Sequence, residues 1–478
     1  MSETMADLVA CEDVLMFVNA AITSTGQGEF HDGAGGQRLS LGFLHSYMLA
    51  NYRELYAAAL ALDVNDHNAA LIVRNLLVHA ADAGGPDRRR AEGRLIAARL
   101  EALPPQRVLR LFRDLRRAGV NNRRTRAILR DWMAARPDPA FVSVKYRGAV
   151  RDAVRHAHLR VDPELGDFLF APRARTSFPT PMFETWRRAH YEQAALYELP
   201  YTVAESFAAK HRIPRQVFLE RIEPRMTRLE RLRLQRNAGE HKAGSVRTDL
   251  SAMPLTRLAS YVLALPLDER AGRREELTTA LRAAARRTAG SAAGRWGRVT
   301  AVLDDSFSTT GSGQKRRRPL AVALACHHLL RALATRYTPL WCSGRSDDLL
   351  LYPYGPTPLG ERILDALDTG ADPPPDRLVI VSDGWDNAPP GLAAEVLRVW
   401  RARLDPGRRV AITHLNPVYD AGGYDVRRLA PTVPTVGIRD AEDLPTLVEL
   451  ARFAEGRAGI EDVRAYLDER VARFTGGA

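Results

Sequence analysis

The run DDSFSTTGSG, residues 304–313, sets Asp304, Ser306 and Ser308 at alternate positions, directly after the apolar VTAVL and ahead of the basic KRRR. Alternate residues of an extended loop can turn toward one point. An acid and two hydroxyls converging there offer hard oxygen donors suited to Mg²⁺, or another divalent cation, which takes about six oxygens with waters completing the shell. Two further donors fall at comparable points later in the chain: Thr357 in GPTPLG, just before a helical run, and Asp383 at the end of VIVSD. Helix capping is the plainer use of the same residue types, since Asp, Ser and Thr are favoured caps and a helix follows. A phosphate-cradling loop is excluded, because GSGQKRR lacks the Gly-Lys-Ser/Thr sequence.

The elements that must position these groups alternate in type. After SAAGRWG, the strands VTAVL, TPLWC, LLLYPY, RLVIVSD and RRVAITHL are interleaved with the helices LAVALACHHLLRAL, LGERILDAL, AAEVLRVWRARL and LPTLVELARFA. That order predicts a parallel sheet covered by helices on both faces, with its ligand crevice beyond the carboxyl ends of the strands. His327 and His328 sit on an apolar helix with no partner at ligand spacing and read as structural.

From about residue 8 to residue 290 the pattern is instead one amphipathic helix after another, broken by AGGPD, LPP, RPDP and FPTP. In PQRVLRLFRDLRRAG, Val108, Leu109, Leu111, Phe112 and Leu115 make one apolar side. Serial helical hairpins of this kind predict a HEAT-like α-helical repeat solenoid that curves or closes into a ring, with a compact orthogonal bundle as the alternative. The expected fold class is multidomain, α plus α/β, with residues 1–295 helical and residues 296–478 doubly wound.

The 478 residues carry 69 Lys+Arg against 57 Asp+Glu, a net charge of +12. Residues 1–300 hold 47 basic against 33 acidic side chains, and residues 301–478 hold 22 against 24. Arginine dominates, and its planar fork of donors suits phosphate oxygens. Arg123, Arg126 and Arg130 recur at helical spacing in NNRRTRAILRDWMAA. Solvated helix faces use arginine too, which is the bland account of the same composition. The three cysteines, Cys11, Cys326 and Cys342, follow no CxxC spacing, which excludes a disulfide framework or thiolate zinc site. The acidic start MSETMADLVACED lacks the basic head and apolar core of a signal peptide, and a cytoplasmic location is expected.

The DxSxS run, the later loop threonine and the strand-terminal aspartate resemble the metal-ion-dependent adhesion site of von Willebrand factor A domains. That resemblance implies that Asp304, Ser306, Ser308, Thr357 and Asp383 surround a divalent ion, directly or through water, with one position open to an acidic group of a partner. The second residue of the motif is acidic here, Asp305, where the family usually has a small or apolar one. The segment TRAILRDWMAARPDPAFVSVKYRGAVRDAVRHAHLR is similar to the TROVE module of the Ro autoantigen family, through Asp131-Trp132, the KYR of residues 145–147 and the spaced motif from Arg151 to Leu159. Members of that family carry a helical-repeat ring followed by one A domain. The ring holds single-stranded ends of misfolded noncoding RNA, and its outer surface binds small structured Y RNAs.

The resemblance implies RNA contacts at Lys145, Arg147, Arg151, Arg155 and His158, to which facing and density add Arg123, Arg126 and Arg130. It implies an RNA-binding scaffold in noncoding-RNA quality control or processing, with a nuclease or RNA-repair enzyme as a partner. No GxSxG, HExxH or singled-out carboxylate pair occurs, so binding is expected rather than catalysis. The other reading is a protein-interaction adaptor whose A domain captures an acidic partner and whose arginines are solvated surface.

Overall fold

The computed structural model describes residues 5–227, 230–231, 250–368, 374–444 and 460–476. The helix expected over LPTLVELARFA and most of the tract RMTRLERLRLQR lie outside the described residues. Two compact units result: Met1–Ala69 together with Asp249–Gly477, and Ala70–Thr248.

The first unit is built on a parallel sheet of β1 (Arg298–Leu303), β2 (Arg336–Trp341), β3 (Arg377–Val381), β4 (Ala411–Asn416) and β7 (Thr435–Gly437), in the order β2-β1-β3-β4-β7. A short antiparallel pair, β5 (Tyr419–Asp420) and β6 (Asp425–Val426), stands apart. All but the first residue of β1 and of β3 are buried. Runs of that kind are what a parallel sheet covered on both faces requires. Val302, Leu378, Ile380 and Ile412 pack on one face with Leu359, Ile363 and Leu397 of two crossover helices, Leu359–Leu367 and Leu392–Val399. Each such side chain contributes about 1.5–3 kcal/mol on burial.

The expected boundary at residue 295 is not where the units divide. The helix Met5–Thr23 lies on β6 and β7, and the helices Leu255–Ala264 and Arg274–Ala289 pack on the helix Arg318–Leu333 that follows β1. Asn19 makes the N-terminal helix part of the sheet: its Nδ2 donates to Asp425 Oδ1 (3.0 Å) and its Oδ1 accepts from the Gly437 N–H (2.9 Å). The helix comes so close that a Cβ on Gly437 would sit 2.8 Å from Thr23 Cγ2 and 2.9 Å from the Asn19 carbonyl oxygen. Glycine at that strand position is what lets the helix dock.

LLLYPY is likewise not a strand. Asp348–Leu350 forms a 3₁₀ turn, and the carbonyls of Leu349 and Leu351 accept hydrogen bonds from the buried guanidinium of Arg270. That guanidinium also reaches the carbonyls of Leu263 and Leu265. A side chain thus satisfies backbone groups that a ladder would otherwise pair.

The second unit is helical throughout its described residues. In the helix Pro105–Arg117 the buried residues are Val108, Leu109, Leu111, Phe112 and Leu115, the side expected from the pattern. Asn122, Asp138 and Asp162 each cap the next helix by accepting a backbone N–H three residues on, and Pro139 and Pro163 open two of those helices. The helices Pro105–Arg117 and Arg147–His156 end alike, on Gly119 (φ 68°) and His158 (φ 50°), with Val120 N–H on the Leu115 carbonyl and Leu159 N–H on the Val154 carbonyl. Asn121 Nδ2 to the His156 carbonyl and His156 Nε2 to the Val120 carbonyl tie the two ends together.

Charge follows these units more sharply than it follows the halves of the chain. Ala70–Thr248 holds 36 Lys+Arg against 19 Asp+Glu, a net of +17. The remainder holds 33 against 38, a net of −5.

Candidate functional site

β1 is the point at which the strand order turns, with β2 on one side and β3 on the other. Leu303, its last residue, is level with Trp341 of β2 and Val381 of β3. Asp304 and Asp383 therefore leave the carboxyl ends of adjacent strands, and Asp304 N–H still bonds the Val381 carbonyl. Doubly wound sheets place their ligand crevice at such a switch point.

Four of the five expected metal-site residues meet through their side chains. Ser306 donates its backbone N–H to Asp304 Oδ1 (2.9 Å), and its hydroxyl lies 3.2 Å from that of Ser308. The Ser308 hydroxyl faces the Asp383 carboxylate and favours its charged form. Asp383 also accepts the Trp385 N–H at 3.0 Å, while Asn416 holds its backbone carbonyl at 3.0 Å. Thr357 is buried, its N–H held at 2.7 Å by Asn387 Oδ1, and its loop is joined to the serine loop by the bond from Phe307 N–H to the Gly355 carbonyl.

Asp304 and Asp383 are 1% and 4% exposed. Burial, and then the nearby charge of Asp383, push the Asp304 carboxyl up to about 7. Burial raises Asp383 as well. Asp304 Oδ2 is enclosed and has no hydrogen-bond partner. An orphaned carboxylate oxygen beside a second carboxylate and two hydroxyls is an all-oxygen donor set short of positive charge, which fits Mg²⁺.

The acidic second residue of the motif has its own use. Asp305 turns to the end of β2, where Oδ1 accepts the Ser343 N–H (2.8 Å) and Oδ2 accepts the Ser343 hydroxyl (2.5 Å). Its carboxylate is thereby held off the Asp304–Asp383 pair. Sequence reasoning missed Ser343, although it follows the predicted strand TPLWC by one residue. It missed His31 as well, whose Nε2 lies 3.9 Å from Asp383 Oδ2; nothing in a chain segment some 350 residues away signals that approach. Around this edge stand Phe307, Tyr354 and Trp385, 60%, 61% and 36% exposed.

The arginine candidates of the second unit divide into spent and available groups. Arg147 Nε and Nη2 donate to the carbonyls of Phe168 and Leu169, at 2.9 and 2.8 Å, and its guanidinium lies over the Trp186 ring. Lys145 is 3.9 Å from Glu230 and lies over Phe141. Arg151 is 3.9 Å from Asp152, with its Nε buried. Arg147 and Lys145 hold the fold together, whereas Arg151 is half-buried and reaches only the acid beside it in the chain. His158 is exposed but occupies the left-handed residue that ends its helix.

Arg123, Arg126 and Arg130 form an exposed stripe on the helix Arg123–Ala134, in which Arg130 alone meets an acid, its neighbour Asp131, among the described residues. Arg155 is exposed and lies 5.5 Å from the ring of Phe170, itself 44% exposed. The stripe ends at a cavity of about 200 Å³ lined by Trp132, Val142, Leu159 and Leu165 and rimmed by Arg130, Arg136 and Arg160.

The histidines read as structural do have a partner. His327 Nε2 and His328 Nε2 lie 3.1 and 3.5 Å from one oxygen of Asp348. Burial pushes the His328 imidazole down to about 3 and lowers that of His327, so both rings are neutral at physiological pH.

Among the described residues no helix is long and apolar enough to cross a membrane. Compared with models of known protein families and with curated proteins, the chain matches none of them.

Proposed function

We propose that the protein is an RNA-binding scaffold of the Ro type, acting in the cytoplasm on single-stranded ends of noncoding or misfolded RNA. In this reading the second unit belongs to a HEAT-like repeat array and the sheet unit is a von Willebrand factor A domain. The observation that carries the reading is the segregation of charge, +17 on Ala70–Thr248 against −5 on the rest of the chain. Arginines standing clear of acidic partners neutralise phosphates whatever the base sequence. An apolar cavity rimmed by guanidinium groups, with an arginine over an exposed phenylalanine nearby, suits stacking of unpaired bases. The strand order and the all-oxygen cluster at the β1–β3 edge support the A-domain reading.

At that edge Asp304, Ser306, Ser308, Thr357 and Asp383 would hold Mg²⁺. When bound, the ion leaves a coordination position for an acidic group of a protein partner, such as a nuclease or RNA-repair enzyme. The chain's own work there is to bind and orient: Asp304 and Asp383 supply charge, the serines supply hydroxyls, and Asn387 and Asn416 fix the loops. The protein binds without catalysing a reaction of its own.

Fluorescence anisotropy of a short labelled single-stranded RNA with the full chain tests this reading. Binding should weaken steeply as salt is raised and should weaken again when Arg123, Arg126 and Arg130 are all changed to Gln. No affinity at low salt would overturn it. The exposed Phe307, Tyr354 and Trp385 favour a second reading, an adaptor without RNA function. Purification from cells separates the two: nucleic-acid-free protein with a stoichiometric partner favours the adaptor.

A further inference from the structure

His327 and His328 are consecutive in the helix Arg318–Leu333. Consecutive helical side chains leave the axis about 100° apart, so two such rings seldom reach a single atom. Here both do. The donor atoms of His327, His328 and Asp348 all lie within 4.8 Å of one another, with Asp348 Oδ2 at 3.1 and 3.5 Å from the two imidazole nitrogens. Ligand atoms around a tetrahedral Zn²⁺ at 2.0–2.1 Å stand about 3.3 Å apart.

The cluster is incomplete as a hydrogen-bonded group. His328 is 2% exposed, yet neither of its ring nitrogens makes a hydrogen bond. The large majority of buried side-chain polar atoms in folded proteins have a partner, and His328 is the one residue among those described with two such atoms left without one. His327, by contrast, is fixed at both nitrogens: Nε2 faces Asp348, and Nδ1 lies 3.1 Å from the Tyr337 hydroxyl. An outer partner of that kind sets the ring orientation of metal-ligating histidines. Solvent reaches one side of the group, the Asp348 side chain being 20% accessible while the rings are closed off.

We propose that His327, His328 and Asp348 bind a divalent transition-metal ion of the zinc class, through Nε2 of each imidazole and Oδ2 of the carboxylate. Two imidazoles with one carboxylate suit Zn²⁺ and its neighbours, whereas the hydroxyl and carboxylate oxygens at the β1–β3 edge suit Mg²⁺. The two sites are chemically distinct, and the zinc-class site does not depend on the RNA reading. On entry the metal takes the Nε2 lone pair of His327: the proton that the neutral ring holds on Nε2 toward Asp348 moves to Nδ1, where the Tyr337 hydroxyl accepts it, so the imidazole stays neutral and no proton is released. The fourth position falls on the accessible side of Asp348 and is filled by water. The ion clamps the turn Asp348–Leu350 to the helix Arg318–Leu333, beside the carbonyls that Arg270 already holds.

The test uses chelator-stripped full-length protein titrated with Co²⁺ and then with Zn²⁺. One Co²⁺ per chain should bind, with the visible absorption of a four-coordinate ion, and Zn²⁺ should displace it. Excess Mg²⁺ and the variant Asp304→Asn should leave that signal unchanged. His328→Gln fills the same space without a metal-binding nitrogen, and Asp348→Asn alters the partly exposed member. Each should weaken Co²⁺ by at least the ~100-fold upper range seen for loss of an outer partner. Far-UV circular dichroism shows that each variant keeps its helices, and Asp348→Asn decides the matter should His328→Gln fail to fold. The proposal is overturned if the wild-type chain binds no stoichiometric Co²⁺ or Zn²⁺, if a folded variant binds as tightly as wild type, or if Asp304→Asn is the change that abolishes binding.

Discussion

At the sheet edge Asp304 and Asp383 are 1% and 4% exposed and held by hydrogen bonds from their own loops. On the helix Arg123–Ala134, three guanidinium groups stand in solvent. The first arrangement stores unfavourable electrostatics in a fixed geometry, because two buried carboxylates meet with one oxygen unpaired. The second stores nothing and works through density of charge. The contrast teaches that counting charged residues says little about function until each has been traced to a partner. Arg147 and Lys145 belong to the same basic segment as Arg155, yet they brace the fold.

The largest effect that sharpens this comparison comes from cutting the chain at the boundary its sequence suggests. Residues 296–478 alone lack the Met5–Thr23, Leu255–Ala264 and Arg274–Ala289 helices that cover the sheet. They should give no cooperative melting transition; a sharp one would show that those helices are dispensable.

Next comes the arginine stripe. The triple change Arg123→Gln, Arg126→Gln, Arg130→Gln should lower the slope of log K against log salt for single-stranded RNA by about 2, near 0.7 for each lost phosphate contact. Mg²⁺-dependent melting should not move. Arg147→Ala makes the opposite split. Losing two hydrogen bonds to the Phe168 and Leu169 carbonyls should destabilise the protein by about 2–4 kcal/mol in denaturant titration, while the folded fraction keeps its RNA affinity.

At the sheet edge Asp304→Asn removes one of two mutually repelling carboxylates. In chelator it should raise stability by about 1 kcal/mol, and it should abolish the rise in melting temperature on adding Mg²⁺. A variant that still responds to Mg²⁺ would contradict the assigned ligand set.

Asp425 gives a pH dependence confined to acid pH. Burial pushes its carboxyl up to about 6 in the folded protein, against 3.8 ordinarily. The folded state therefore holds its proton more tightly, and the contribution is fully present below about pH 4 and lost as pH rises to about 6, at most about 3 kcal/mol. Asp425→Asn should flatten stability across that window. Unchanged curvature would remove Asp425 from the account.

Much of the sheet was legible because buried parallel strands are short apolar runs between turn residues, as VTAVL and RLVIV are, and because the run from Asp304 to Ser308 lies within five residues of a strand end. The misses share one physical cause, which is long-range pairing. LLLYPY has the composition of a strand, but Arg270, some 80 residues earlier, takes its carbonyls. The first helix is apolar nearly all round, unlike the two-faced helices of the second unit, and its contacts with β6 and β7, among them Asn19 on Gly437 and Asp425, show where it belongs. β7 is three residues long and follows a proline, which left too little pattern to read. His327 and His328 had no visible partner because Asp348 reaches them across β2 and a turn. For the arginines, spacing revealed a helical stripe but could not say which forks were already filled by carbonyls.

Photo-crosslinking of the full chain to single-stranded RNA carrying 4-thiouridine, followed by peptide mapping, tests the central claim most directly. Adducts should fall in the segment from Arg123 to Phe170, around the arginine-rimmed cavity. Adducts confined to the loops at Asp304, Thr357 and Asp383, or none at low salt, would contradict the account.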